Sequence, residues 1–175
     1  MTDGNIKERK ANEKFTLSES RTSLYIQLKS DKTEVKIDGG IIEDDGSGQR
    51  KCDYLLFDED NKSTHLIELK GTVIDRAYSQ LENTVKSISE DSCKEKYLME
   101  KLKLLEAYIV SPAPKIPQNV DSKERSLAKM LAAKSSQKQN NIVDLITYVR
   151  VVSKGANGVK KDRYIIISGE CPLSI

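Results

Sequence analysis

The chain has a single histidine and three cysteines in 175 residues. Cys52, Cys93 and Cys171 lie far apart and form no CxxC pair, so a Cys/His zinc site is all but excluded. The odd count and wide spacing also speak against a disulfide framework and favour buried free thiols. No apolar run approaches the roughly 18 residues of a membrane span. Residues Met1 to Lys14 are polar and lack the apolar stretch of a signal peptide, so a cytoplasmic protein that does not engage a membrane is expected. One sign of charge does not dominate. The net charge is +2, with residues 1–70 carrying 12 Lys+Arg against 15 Asp+Glu and residues 71–175 carrying 17 against 12. The mild excess of positive charge in the second part is compatible with a phosphate backbone as partner, and too weak to imply one alone.

What the chain does have is 37% hydrophobic and 32% charged residues, enough for one polar domain with a real core. A polar lead over 1–14 is expected to precede a single domain over 15–175. Residues Phe15 to Leu24 are expected to form a short helix. Strands follow at Leu24–Leu28 and Thr33–Ile37, separated by turn residues at Ser30-Asp31-Lys32 and broken after the second by Gly39-Gly40. Asp44 to Gln49 is a Gly/Ser/Asp loop. Two apolar runs, 51–57 and 64–70, are joined by the polar segment 58–63 and predict a hairpin. Ile74, Ala77, Tyr78, Leu81, Val85 and Ile88 recur at helical spacing and predict a long helix over 74–89. A further helical turn is expected over Tyr97–Lys103, then a strand at Leu104–Val110. The prolines at 112, 114 and 117 predict an extended loop. Asp121 and Glu124 have the spacing of a capping box, with Asp121 as N-cap of a helix to about Ser135. Val143–Val152 and Arg163–Ser168 read as a β-hairpin with a long tip. The fold class expected is α/β (α+β), with a central mixed sheet flanked by helices.

The chemistry is concentrated in Cys52-Asp53-Tyr54-Leu55-Leu56-Phe57 and Leu66-Ile67-Glu68-Leu69-Lys70-Gly71. Asp53 opens one strand, and Glu68 and Lys70 close the next. Glu68 and Lys70 are two apart, hence on one strand face. Phosphodiester hydrolysis requires neutralised phosphate charge and a deprotonated water. A Mg²⁺ or Mn²⁺ held by carboxylates provides both. Asp53 and Glu68 are hard oxygen ligands of that kind, and the backbone carbonyl of Leu69 is a candidate third. The Lys70 ammonium would orient the water or stabilise the developing charge. The bland alternatives are a strand-end Asp satisfied by a backbone amide and a Glu68–Lys70 ion pair at a half-exposed edge. Against them stands the cost of an unpaired carboxylate inside Leu66-Ile67-Glu68-Leu69.

Asp53, separated by 14 residues from Glu68-Leu69-Lys70, resembles the signature of the PD-(D/E)XK nuclease superfamily. The Pro of that signature is replaced by Cys52. The resemblance covers about residues 15–110 and implies a restriction-endonuclease-like core, with the C-terminal helix and hairpin (121–168) unassigned. It implies metal binding by Asp53 and Glu68, assistance to the nucleophile by Lys70, and hydrolysis of DNA, with RNA left open. It further implies a homodimer or larger complex as the working form. Relatives often carry a Gln on the helix after this strand, for which Gln80 is the counterpart here, near Arg76 and Tyr78. Some carry an upstream acid, for which Glu19, Glu34 and Glu43 compete. His65 reads as a strand-face residue. The rival readings are a silent or partner-dependent nucleic-acid-binding module of the same fold, and an unrelated α/β interaction protein.

Overall fold

Alternation of apolar and polar residues, backed by β-branched and aromatic side chains, builds most of the chain into strands. The computed structural model describes residues 3–42, 48, 50–91, 94–98, 102–113, 121–136, 142–152, 160–161 and 163–175. Its strands are β1 (Ile6–Arg9), β2 (Lys14–Glu19), β3 (Thr22–Gln27), β4 (Lys32–Lys36), β5 (Tyr54–Asp58), β6 (Ser63–Leu69), β7 (Leu104–Ser111), β8 (Ile146–Val151), β9 (Lys160–Lys161), β10 (Tyr164–Ile167) and β11 (Leu173–Ser174). Among the described residues the α-helices are α1 (Asp75–Glu90) and α2 (Asp121–Lys134).

An eight-stranded mixed sheet runs in the order β1-β4-β5-β6-β7-β8-β10-β9. β4, β5 and β6 form an antiparallel meander, whereas β6, β7, β8 and β10 are mutually parallel. Parallel neighbours require a crossover, and α1 and α2 supply those from β6 to β7 and from β7 to β8. All seven residues of β6 are buried, as expected for a strand covered on both faces.

One face of the sheet, through Val35, Leu55, Phe57, Leu66, Ala107 and Ile109, packs against Tyr78, Leu81, Val85 and Ile88 of α1 and Leu127 and Leu131 of α2. The other face, through Leu56, Ile67, Leu69, Tyr108, Val110 and Val149, packs against a three-stranded sheet of order β11-β3-β2. The result is three layers: helices, large sheet, small sheet. The α+β class expected from the sequence is thereby observed, as are the 58–63 hairpin loop, the long helix and the strand following it.

Several local expectations are corrected. Residues 15–24 are not a helix but the β2–β3 hairpin, in register from Lys14↔Gln27 to Glu19↔Thr22. Phe15 and Leu17 are two apart, which suits a strand face and not a helical stripe. Part of the polar lead is ordered as β1, paired antiparallel with β4. Backbone pairing, the Arg9–Glu34 ion pair (2.8 Å) and the packing of Ile6 hold it, and a single apolar residue sets no period. The C-terminal strands are not a hairpin. β8 and β10 are parallel, because β9 takes the return and β10 is inserted between β8 and β9. Asp121 lies within the first turn of α2. Glu124 does not close a capping box, since its carboxylate is taken by the Arg163 guanidinium. The helical turn expected at 97–103 is a short 3-10 segment at Glu95–Leu98. Residues 43–47, 49 and 114–117, expected to be loops, lie outside the described residues, and Glu43 with them.

Candidate metal centre

β5 and β6 run antiparallel with Tyr54 opposite Ile67, so Asp53 stands opposite Glu68 on the helix-covered face. The two carboxylates are thus cross-strand neighbours at the end where β6 leaves the sheet. Both are withdrawn from water. Glu68 is 0% exposed and Asp53 8%. Asp53 Oδ2 accepts the backbone N–H of Leu69 at 2.6 Å, which ties the two strand ends together. The Lys70 ammonium sits 2.6 Å from Glu68 Oε1, an ion-pair distance. Glu68 Oε2 is buried without any hydrogen-bond partner. Interiors rarely tolerate such an oxygen, because it has lost its water and gained nothing in return.

The electrostatics follow from this burial. Glu68 is pushed up to about 8, first by desolvation and then by the charge of Asp53, with Lys70 opposing. Asp53 is pushed up to about 6 by desolvation, with the Leu69 N–H and Lys70 opposing, and with Glu19 and Asp38 adding to the rise. Two crowded carboxylates, each resisting ionisation, form a site that a cation would relieve.

Gln80 is brought to this region, in a role the sequence did not suggest. Its Nε2 donates to the Lys51 carbonyl at 2.9 Å, while the Cys52 N–H donates to Thr84 Oγ1 at 2.7 Å. One turn of α1 therefore clasps the two residues that lead into Asp53. Gln80 Oε1 remains buried and without a partner. Cys52, in the place of the signature proline, is a fully buried thiol whose ionisation burial opposes. Tyr78 is core, its hydroxyl hydrogen-bonded to that of Tyr148, and Arg76 is exposed.

Among the competing upstream acids, Glu34 lies on the far face of the sheet and is held by Arg9. Glu19 shares the inward face of the hairpin with Leu17, and its charge reaches both Asp53 and Tyr54. Asp38 is a residue that sequence reasoning missed. It is exposed, its N–H donates to the Cys52 carbonyl at 3.2 Å, and its charge raises both Asp53 and Glu68. The signal was the Gly39-Gly40 pair behind it. Gly39 has φ +62°, and a Cβ on Gly40 would meet the Lys36 carbonyl oxygen at 2.1 Å, so only glycines let the chain turn back there.

Among the described residues no three His, Cys, Asp or Glu side chains converge to form a metal cage. Two carboxylates with backbone carbonyls and waters remain a set suited to Mg²⁺, which keeps several waters and needs only one or two carboxylates. The chain matches no family model, no curated protein and no solved structure. The chemistry of the site is therefore read from its own geometry.

A second concavity, of about 430 Å³, opens at the opposite end of the large sheet, beside Lys32, Asp58, His65 and Tyr108. Its charges satisfy one another. Asp58 accepts from Lys32 Nζ (3.0 Å), Ser30 Oγ and both nitrogens of Asn61, which hold it well below the usual carboxylate range. His65 Nδ1 lies 3.3 Å from Glu106, on the face away from Asp53 and Glu68. The two crowded carboxylates, with the unpartnered oxygen of Glu68, are at the β5–β6 end instead, and chemistry is expected where charge is unbalanced.

Proposed function

We propose that the protein is a metal-dependent nuclease that hydrolyses phosphodiester bonds in DNA, with Asp53, Glu68 and Lys70 as its working residues. The observation that carries this reading is Glu68: a fully buried carboxylate with an unpartnered oxygen, facing a second carboxylate and touched by one lysine. A structural ion pair would not need the second acid. The antiparallel meander β4-β5-β6, followed by a helical crossover to a parallel β7, matches the β-β-β-α-β part of the α-β-β-β-α-β order that the PD-(D/E)XK resemblance implies, while the β2–β3 hairpin stands where the leading helix was expected.

A Mg²⁺ or Mn²⁺ bound there would neutralise phosphate charge and lower the pKa of a water. Asp53 and Glu68 would hold it through their carboxylate oxygens, with the Leu69 carbonyl as third protein ligand. Lys70 is only 20% exposed at its side chain, so its ammonium acts in a poorly solvated setting. Its position two residues after Glu68 lets it leave that carboxylate and orient a water, or meet charge developing on phosphate oxygens. Gln80 contributes by fixing the Lys51-Cys52 lead, hence the placement of Asp53.

The test is cleavage of plasmid and single-stranded DNA with Mg²⁺, Mn²⁺ or EDTA, by wild type and by the Glu68→Ala and Lys70→Ala variants. Cleavage is expected only with metal, and a loss of about 10²–10⁴-fold is expected in each variant. Activity that persists in Glu68→Ala would overturn the mechanism. Metal binding without cleavage would instead favour a module that awaits a partner.

A further inference from the structure

The β2–β3 hairpin, which the sequence pattern does not announce, extends the proposed site. Thr22 Oγ1 donates to the Lys70 carbonyl at 2.8 Å, and the Tyr54 hydroxyl donates to the Ser18 carbonyl at 3.1 Å. Both ends of the turn are therefore fastened to the strand ends that carry Asp53 and Lys70. Glu19 and Thr22 are cross-strand partners, and both point toward the large sheet. The two residues at the tip, Ser20 and Arg21, are exposed. Ser20 has φ +53°, so the tip is a tight turn of defined shape. Arg21 is the chain neighbour of Thr22, about 3.8 Å away between Cα atoms, so it stands next to the contact that fastens the turn to the Lys70 backbone. Among the described residues no carboxylate or hydrogen-bond acceptor engages its guanidinium. A guanidinium free of partners beside an anionic centre attracts a polyanion and helps offset the charge of Glu19 and Asp38.

We infer that the β2–β3 turn is the lip of the substrate site and that Arg21 binds a backbone phosphate of the nucleic acid next to the bond that is cut. The inference rests on the nuclease reading. Guanidinium presents paired donors to phosphate oxygens, and the contact carries no base information, so Arg21 contributes affinity and register and not sequence choice. The phosphate meets Arg21 in ground state and transition state alike, so its removal acts on KM and leaves kcat in place.

The experiment compares wild type with Arg21→Gln, Arg21→Lys and Lys29→Gln. The last removes the same charge from an exposed position beyond the opposite end of β3. Binding of a fluorescent DNA duplex is followed by anisotropy in EDTA across a salt series, and cleavage is followed with Mg²⁺. For Arg21→Gln the expected results are about a tenfold weaker binding and KM, a salt slope shallower by about one, an unchanged kcat and an unchanged melting temperature. Arg21→Lys should restore part of the loss. If Arg21→Gln matches Lys29→Gln in affinity and slope while wild type cuts DNA, the lip assignment is wrong and the nuclease reading stands. If wild type neither binds nor cuts DNA, both fall together.

Discussion

At the scale of single residues, Glu68 decides most. Its carboxyl ordinarily titrates near 4.5, and in the fold it is held up to about 8; Asp53 moves from 3.8 to about 6. Between these limits the native state binds more protons than the unfolded chain, so metal-free stability falls as pH rises. The penalty is absent below about pH 4 and complete above about pH 8. In EDTA, wild type should melt higher at pH 5.5 than at pH 8.5. Each tenfold weakening of a carboxyl's acidity corresponds to about 1.4 kcal/mol, hence a fall of at least about 2–4 °C in a chain of this length. Glu68→Gln should flatten that dependence and melt above wild type at pH 8.5. A steeper loss of stability in Glu68→Gln as pH rises would remove the electrostatic basis of the site. The meeting of Asp53, Glu68 and Lys70 was legible in the sequence because three chemically loaded residues sat at the ends of two recognisable runs. Glu19 was among the named candidates, though on the wrong element. Asp38 was not legible, because its effect acts through space from the turn after β4. Nor was the bracing role of Gln80, which depends on which carbonyl α1 happens to face.

Elements were legible where burial imposes a period. The long stripe on α1 and the apolar runs of β5, β6 and β7 declare themselves because each must match a packed face. β1 could not be read this way, since it offers one apolar side chain, Ile6, and otherwise relies on Arg9 and Lys7 meeting Glu34. The β8–β10 pairing failed for a different reason. Two strands separated by a glycine-containing polar segment suit a hairpin, and only the insertion of β10 beside β8 makes them parallel. The turns around the second cleft illustrate how an element can be held by one side chain. Asp58 ends β5 and gathers Lys32 of β4, Ser30 and Asn61. Lys32 is 4% exposed, and its ammonium lies 3.0 Å from that carboxylate. Asp58→Ala should therefore cost about 3–5 kcal/mol by leaving a buried ammonium unpaired. Urea denaturation of the variant measures it. A companion Lys32→Met in the Asp58→Ala background should recover part of the loss, since the stranded charge is then gone. A cost below about 1 kcal/mol would mean that water reaches Lys32 and that the cleft is open at its floor.

At the scale of the whole molecule, the three layers explain why the acidic pair can exist at all. Helices cover one face of β6 and the small sheet covers the other, so the end of that strand is as dry as its middle. Among the described residues no helix is long and apolar enough to cross a membrane. A fold that buries two neighbouring carboxylates carries a standing electrostatic cost, which the proposed cation, bound only in the native state, would offset. The global stability of the chain should then depend on divalent ion concentration in a specific way. At a hundredfold excess over Kd, the native state gains about 2.7 kcal/mol, or about 5–10 °C in melting temperature. Mg²⁺ or Mn²⁺ should produce that rise at about pH 8, where the carboxylates must ionise to bind. The rise should shrink toward about pH 5, where protons compete for the same oxygens. Glu68→Gln, already relieved of its charge, should melt alike with and without metal. An equal rise in wild type and Glu68→Gln would place the cation elsewhere on the molecule, and with it the chemistry.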